Sequence, residues 1–324
     1  MIAQKQMRLR CTAVPGLITL LCVIGVALCF ALPGSRSAAA QNQVRVDVRL
    51  VNVFATITDA NGRYVDGLNQ YDFVLQEDGV SQEIAHFSHD LDVPVSVGIV
   101  LDTSGSMRNK LRTAVTAVDR FVRTIHPNDD IFLMTFASSL ELRQDFTDDR
   151  EKLSRALRRT SASGATLLYD ALRAGLIKVK SGKHPKRAIL LITDGQDTGS
   201  VATFDEILSE IGESELLVYT LGISPASGGR SGERDSVDLS VLQNLAATSG
   251  ARAFMLSDVF IGTFGREVEK VLNLIAQELR SQYTLGFYAT HADDGKFHSL
   301  RIKTRPGLVA RSRPGYIARP ALPR

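Results

Sequence analysis

Asp102, Ser104 and Ser106 are the residues of this chain whose types and spacing most directly suggest chemistry. They occupy alternate positions of Asp102-Thr103-Ser104-Gly105-Ser106-Met107, so one carboxylate and two hydroxyls share a short segment. The run before them, from Val93 through Val95, Val97, Ile99 and Val100 to Leu101, reads as a buried parallel strand. The pattern after them, Leu111, Val115, Val118, Phe121 and Val122, has helical spacing. The three side chains therefore fall on the turn at the carboxyl end of a strand, where open α/β sheets place ligand sites. Short oxygen ligands on a tight turn suit a hard cation such as Mg²⁺.

A rigid sheet must hold such a turn, and the sequence supplies one. Apolar strands are expected at 131–136, 187–192, 216–223 and 253–256, with a hairpin edge strand at 140–145. Helices are expected at 148–157, 167–179, 204–211, 239–248 and 262–280. This alternation predicts a doubly wound, mostly parallel sheet. Two further polar residues fall at comparable places. Thr166 closes a small-residue loop just before a helix, and Asp194 ends a buried strand in Thr193-Asp194-Gly195. The stretch 224–236 is read as an exposed loop, from its glycines and mixed charge.

Strands also stand at both ends. Alternation predicts them at 44–50, 52–58, 71–79 and 82–87, with turns at Asn61-Gly62 and Asp78-Gly79. After residue 280 come strands at 282–289, 297–305 and 308–311. Neither set alone holds enough strands to bury a face, so the two are expected to share one β-sandwich into which the α/β body is inserted. The domain reading is a signal at 1–40, sandwich strands at 44–90, the body at 93–281 and completing strands at 282–318.

Asp-x-Ser-x-Ser in this setting closely resembles the metal ion-dependent adhesion site of von Willebrand factor type A domains. That resemblance extends over residues 44 to 318. It includes Asp59-Ala60-Asn61-Gly62-Arg63-Tyr64-Val65-Asp66-Gly67-Leu68, Tyr71 to Gly79, Arg280 to Tyr288 and Arg305-Pro306-Gly307-Leu308, which are similar to the VWFA-related family described from Acidobacteria. The resemblance implies that Ser104 and Ser106 bind Mg²⁺ (or Mn²⁺ or Ca²⁺) directly and that Thr166 joins when a ligand is engaged. It implies that Asp102 and Asp194 hold metal-bound waters or bind directly, according to state. Two carboxylates with three neutral hydroxyls are read as leaving the cation incompletely neutralised, with a position open for a partner's Asp or Glu carboxylate.

Other candidates are weaker. His86-Phe87-Ser88-His89 lacks the spacing and further ligands of a zinc site and is expected to be solvated. Asp197 is expected to be a solvated loop residue, and Asp170 to favour the amino-terminal end of its own helix. No histidine forms a triad with Ser104 or Ser106, and there is no G-x-S-x-G.

The amino terminus bounds the compartment. Lys5, Arg8 and Arg10 precede an uncharged, mostly apolar run from 11 to 32, and Ala38-Ala39-Ala40 precedes Gln41, the layout of a secretory signal. The run is long enough that an uncleaved anchor is the alternative. Cys11, Cys22 and Cys29 all lie in this segment, so a mature chain has no disulfide or thiolate site. Without the four basic residues of the segment, Lys5, Arg8, Arg10 and Arg36, the 38 basic residues fall to 34 against 35 acidic. That balance gives no case for nucleic-acid binding. The expected protein is an exported, non-enzymatic module that captures an acidic group on a protein partner, in the periplasm, the cell envelope or outside. The rivals are an envelope scaffold acting through the sandwich and a secreted metal-dependent hydrolase, which would need a base such as His or Glu near the metal.

Overall fold

The computed structural model describes residues 49–89, 91, 93–224, 237–257, 264–289 and 294–318. In chain order these form β1 (Arg49–Thr58), β2 (Val74–Glu77), β3 (Val80–Gln82), β4 (His86–Ser88), β5 (Val95–Asp102), α1 (Leu111–Thr124), β6 (Asp130–Phe136) and β7 (Leu140–Thr147). They continue as α2 (Arg150–Leu157), α3 (Leu168–Val179), β8 (Lys186–Thr193), α4 (Phe204–Glu213), β9 (Leu217–Ser224), α5 (Leu239–Ser249), β10 (Ala253–Ser257) and α6 (Phe264–Arg280). The last strands are β11 (Gln282–Ala289), β12 (Phe297–Lys303), β13 (Val309–Arg311) and β14 (Gly315–Ile317). All lie within one compact unit, Asp47–Arg324.

The body is a six-stranded sheet in the order β10-β9-β8-β5-β6-β7, parallel except for the edge strand β7. Every residue of β5 and β6 is buried, as expected of strands covered on both faces. One face packs under α1, α2 and α6, where Ala114, Ala117, Val118, Phe121 and Val122 form the apolar stripe of α1. The other face packs under α3, α4 and α5. The strand order reverses between β5 and β8, and the carboxyl ends of these two neighbours carry Asp102 and Asp194. That crevice is the topological switch point of the sheet.

The terminal strands form a sandwich of two sheets, β13-β1-β11-β4 and β14-β12-β2-β3. β1 pairs with β11 over eight residues, from Arg49 opposite Ala289 to Thr56 opposite Gln282. β12 alternates strictly between exposed and buried residues, with His298, Leu300 and Ile302 inward. Val51, Val53, Ala55, Ile57, Leu75, Leu285, Phe287 and Tyr316 fill the interior. Asp78 and Gly79 both have positive φ, 48° and 83°, which gives the tight two-residue hairpin expected between β2 and β3.

Three expectations are revised. Residues 49–58 form one strand across the anticipated break at Val51; positions 44–48 lie outside the described residues. The stretch 82–87 is split between β3 and β4 in opposite sheets, because the Ala85 amide already donates to Gly286 O at 2.8 Å. The short strand β14 was not anticipated, since three residues after Pro314 carry no periodic signal. The signal segment and the loop from 225 to 236 fall outside the described residues.

The sandwich is joined to the body through the amino-terminal edge of the body's sheet. Asn52 donates from N and Nδ2 to Glu215, both at 3.1 Å. Arg313 reaches Ser214 O at 3.3 Å and Asn52 O at 2.7 Å, and Arg311 donates to Gly250 O. Glu278, fully buried near the end of α6, accepts from Tyr219 at 2.8 Å and Tyr64 at 3.3 Å, and pairs with Arg311 at 2.5 Å. Burial, with the Glu278 charge adding to it, pushes the Tyr64 hydroxyl up to about 12. The carboxyl-terminal edge, where the candidate site lies, is the opposite one.

Candidate metal centre

Asp102 is the last residue of β5 and is fully buried. Its Oδ1 accepts the Ser104 amide at 2.8 Å, an Asx-type turn that folds the following residues back over the strand end. Its Oδ2 accepts the Thr193 hydroxyl at 2.6 Å, linking the ends of β5 and β8. Burial pushes the carboxyl up to about 6, the bonds from Ser104 and Thr193 oppose the rise, and the Asp194 charge adds to it. Ser104 is fully buried and Ser106 half-buried, and their hydroxyl oxygens lie 3.0 Å apart.

The Thr166 loop is held against this turn by backbone bonds: Gly105 N to Gly164 O at 2.9 Å and Ser163 N to Thr103 O at 2.8 Å. Gly164 has φ +86°, and a Cβ there would stand 2.3 Å from the Ser138 hydroxyl, so only glycine lets the loop lie this close. Thr166 is buried and is gripped from the β8 side, donating from N to Thr198 Oγ1 at 2.9 Å while its carbonyl accepts from Thr198 N at 3.0 Å. Asp194 follows β8, fully buried, and its carbonyl accepts the Asp238 amide at 2.8 Å. The five residues singled out in the sequence thus lie on three segments brought together at the switch point.

The donor set suits a hard divalent cation. The Ser104 and Ser106 hydroxyls hydrogen-bond to each other at 3.0 Å, a separation close to the roughly 2.9 Å between adjacent ligands of octahedral Mg²⁺ with oxygens at about 2.0–2.1 Å. Among the described residues no three His, Cys, Asp or Glu side chains cluster as a metal site, so a cation here would depend on hydroxyls.

Lys110 was not foreseen. It lies at the entry to α1, is 2% exposed, and its Nζ donates to Asp194 Oδ2 at 3.1 Å. Asp194 therefore has a cationic partner of its own. The burial of Asp194 thus does not by itself argue for a metal at that residue. Thr193, the donor to Asp102, was also missed. Its hydroxyl accepts the Gly195 amide at 3.1 Å as well, a junction that an apolar strand ending in Thr-Asp-Gly hints at without specifying.

Two peripheral readings change, and Asp170, in the first turn of α3 as expected, takes a second role. Asp197 is half-buried, accepting the Leu168 amide at 2.8 Å at the start of α3 and the Ser200 hydroxyl at 2.5 Å. The Asp170 carboxylate accepts Val201 N and Ala202 N, both at 2.9 Å, and so anchors the loop after Asp194. His86 is exposed as expected, but His89 stacks on Tyr283 with ring centroids 3.8 Å apart.

Residues 97–196 match the family model described as von Willebrand factor type A domain. An uncharacterized protein of Synechocystis is 25% identical over 139 residues, 41% of this chain and 33% of that protein. Calcium-activated chloride channel regulator 1 of Homo sapiens is 28% identical over 141 residues, 40% of this chain and 15% of that protein. The chain thus spans a third or less of the length of these curated relatives. Among solved structures, a von Willebrand factor type A protein from Catenulispora acidiphila has TM-score 0.47 and 13% identity, covering 84% of this chain and 63% of that one. The conserved hypothetical protein BatB from Bacteroides thetaiotaomicron has TM-score 0.46 and 20% identity, covering 57% and 97%.

Proposed function

The chain carries a von Willebrand factor type A domain over residues 97–196, and from that premise we propose a protein-binding module that captures a partner's Asp or Glu carboxylate through a divalent cation. Ser104 and Ser106 would hold Mg²⁺, or Mn²⁺ or Ca²⁺, directly, with Thr166, Asp102 and Asp194 completing the shell. The cation would supply an electrophilic position for an anionic oxygen, and the chain supplies a largely buried cradle for it.

The observation that carries this reading is the Ser104–Ser106 oxygen pair at ligand-edge spacing beside two buried carboxylates. A binding role is preferred to hydrolysis. The described histidines 86, 89 and 298 lie in or beside the sandwich, and His126 and His184 lie around Asp129, Asp130 and Ser96 at the sheet's amino-terminal edge. None is placed to act as a base beside Asp102. Export to the envelope, with cleavage near Gln41 or retention as an anchor, rests on the sequence of residues 1–40. Among the described residues no helix is long and apolar enough to cross a membrane.

A second reading, a domain that binds partners without a metal, is favoured by the Lys110–Asp194 pair. Affinity capture from the native envelope separates the two. Partner retention should vanish in EDTA, return with Mg²⁺, and be absent in Asp102→Ala. Retention indifferent to chelator would leave the metal-free reading, and retention that survives Asp102→Ala but fails when the outer sandwich face is altered would leave the scaffold.

A further inference from the structure

Lys110 runs against local helix energetics. The entry to a helix favours Ser, Thr, Asp or Asn and repels cations, because unpaired amides and the helix dipole make it electropositive. Lysine is also rarely buried unless paired. Here Lys110 is 2% exposed at that entry, with its ammonium 3.1 Å from Asp194 Oδ2 and both side chains almost wholly removed from solvent. Its placement is therefore set by the site beneath it.

Charge counting shows what it does there. Asp102 and Asp194 carry two negative charges, which by themselves would cancel a bound dication, so the incomplete neutralisation expected from the sequence does not follow from the two carboxylates alone. A loaded site of zero net charge has a weaker electrostatic preference for a carboxylate over a water or an amide than a net-positive one. With the Lys110 ammonium included, the site is −1 before loading and +1 after it.

We propose that Lys110 is the specificity-determining residue of this site: a built-in cation that weakens divalent binding to the unliganded chain and leaves the loaded centre net positive, so that an anionic oxygen is required to complete it. This inference rests on the metal-binding reading above. It makes metal and acidic partner bind cooperatively, since each offsets the charge that disfavours the other. The coupling is short-range and inside the protein, where charges are screened far less than in water.

The test is calorimetric titration of Mn²⁺ into the purified mature chain, with and without millimolar acetate, for wild type, Lys110→Gln and Lys110→Arg. Wild type should bind Mn²⁺ weakly alone and about tenfold more tightly with acetate. Lys110→Gln should bind Mn²⁺ alone about tenfold more tightly than wild type and lose most of the acetate effect, whereas Lys110→Arg should follow wild type. Thermal melting gives a second readout: Mn²⁺ should raise the midpoint of Lys110→Gln by more than that of wild type, because the metal takes over the neutralisation of Asp194. If wild type binds Mn²⁺ and Lys110→Gln binds it no more tightly, or keeps the full acetate effect, the role of Lys110 is refuted while the metal site stands. A Lys110→Gln chain that fails to fold with or without Mn²⁺ makes Lys110 a purely structural ion-pair partner and also refutes it. No Mn²⁺ binding by any of the three overturns the metal site and this inference together.

Discussion

At the scale of residues, the site depends on second partners as much as on its candidate ligands. The Thr193 hydroxyl fixes the Asp102 carboxylate at 2.6 Å from the neighbouring strand end. Thr193→Val keeps the shape and removes that bond, leaving a buried carboxylate oxygen and the Gly195 amide one partner short. Stability should fall by about 1–3 kcal/mol, measured by urea denaturation. Divalent affinity should fall by about 10- to 100-fold, the range for partners that orient metal-binding groups. Unchanged Mn²⁺ affinity in a folded Thr193→Val would show that Asp102 needs no such orientation. At Gly164, where φ is +86° and a Cβ would meet Ser138, alanine should push the Thr166 loop away from Gly105. Metal affinity should drop by about tenfold or more while the sheet stays intact, which amide exchange across β5 and β8 can verify.

Elements divide into those the sequence declared and those it concealed. Strands such as β5 and β8 were legible because a run of apolar residues ending in a polar turn has few other readings. The positions of the five residues were legible because Asp102 ends such a run, Ser104 and Ser106 stand on the turn beyond it, Asp194 follows another, and Thr166 closes a small-residue loop before a helix. Lys110 was not, because a lysine in the polar stretch Arg108-Asn109-Lys110 looks solvated until the fold brings it to Asp194. The split of 82–87 was hidden because Gln82 to Phe87 alternates as one strand would, and only the competing edge of β11 divides it. In the sandwich, His298 on β12 joins Asp78 at 2.7 Å and Asp294 at 3.0 Å. Burial pulls its pKa down, but the bonds to the two aspartates outweigh burial and hold it above the ordinary value of 6.5. The His298 bond lowers Asp78, and the Lys296 amide and His298 lower Asp294. A raised histidine stabilises the fold fully below its unfolded pKa and loses that contribution as pH climbs through the folded value. Lowered aspartates contribute above their unfolded pKa of about 3.8 and lose it in acid. The thermal midpoint should therefore be highest between about pH 4 and 6.5 and decline above it. His298→Gln should flatten the decline, and an identical profile in that variant would remove this cluster from the explanation.

At the scale of the whole molecule, the sandwich is a base and the site faces away from it. β1 is paired along its length by β11, so the two ends of the chain stabilise one another across the inserted body. Truncation at residue 281 should strip exchange protection from Val51 to Ile57; protection that survives would mean that β1 does not depend on β11 and β13. Glu278 links body and base through Tyr64, Tyr219 and Arg311, and Glu278→Ala leaves the partly buried Arg311 cation without that carboxylate. The cost should be on the order of 3 kcal/mol, below the upper range for buried pairs because Arg311 is partly solvated. The sandwich is secured at one edge of the body's sheet, and the candidate site at the opposite edge carries the proposed cation. The most direct measurement is the anomalous difference map of crystals of the mature chain grown with millimolar Mn²⁺ and acetate. The proposed cation site predicts one strong peak at about 2 Å from both serine oxygens, Ser104 Oγ and Ser106 Oγ, with a carboxylate oxygen completing its shell. No anomalous peak at the switch point, with Ser104 still bonded to Ser106 and Lys110 to Asp194, would contradict it.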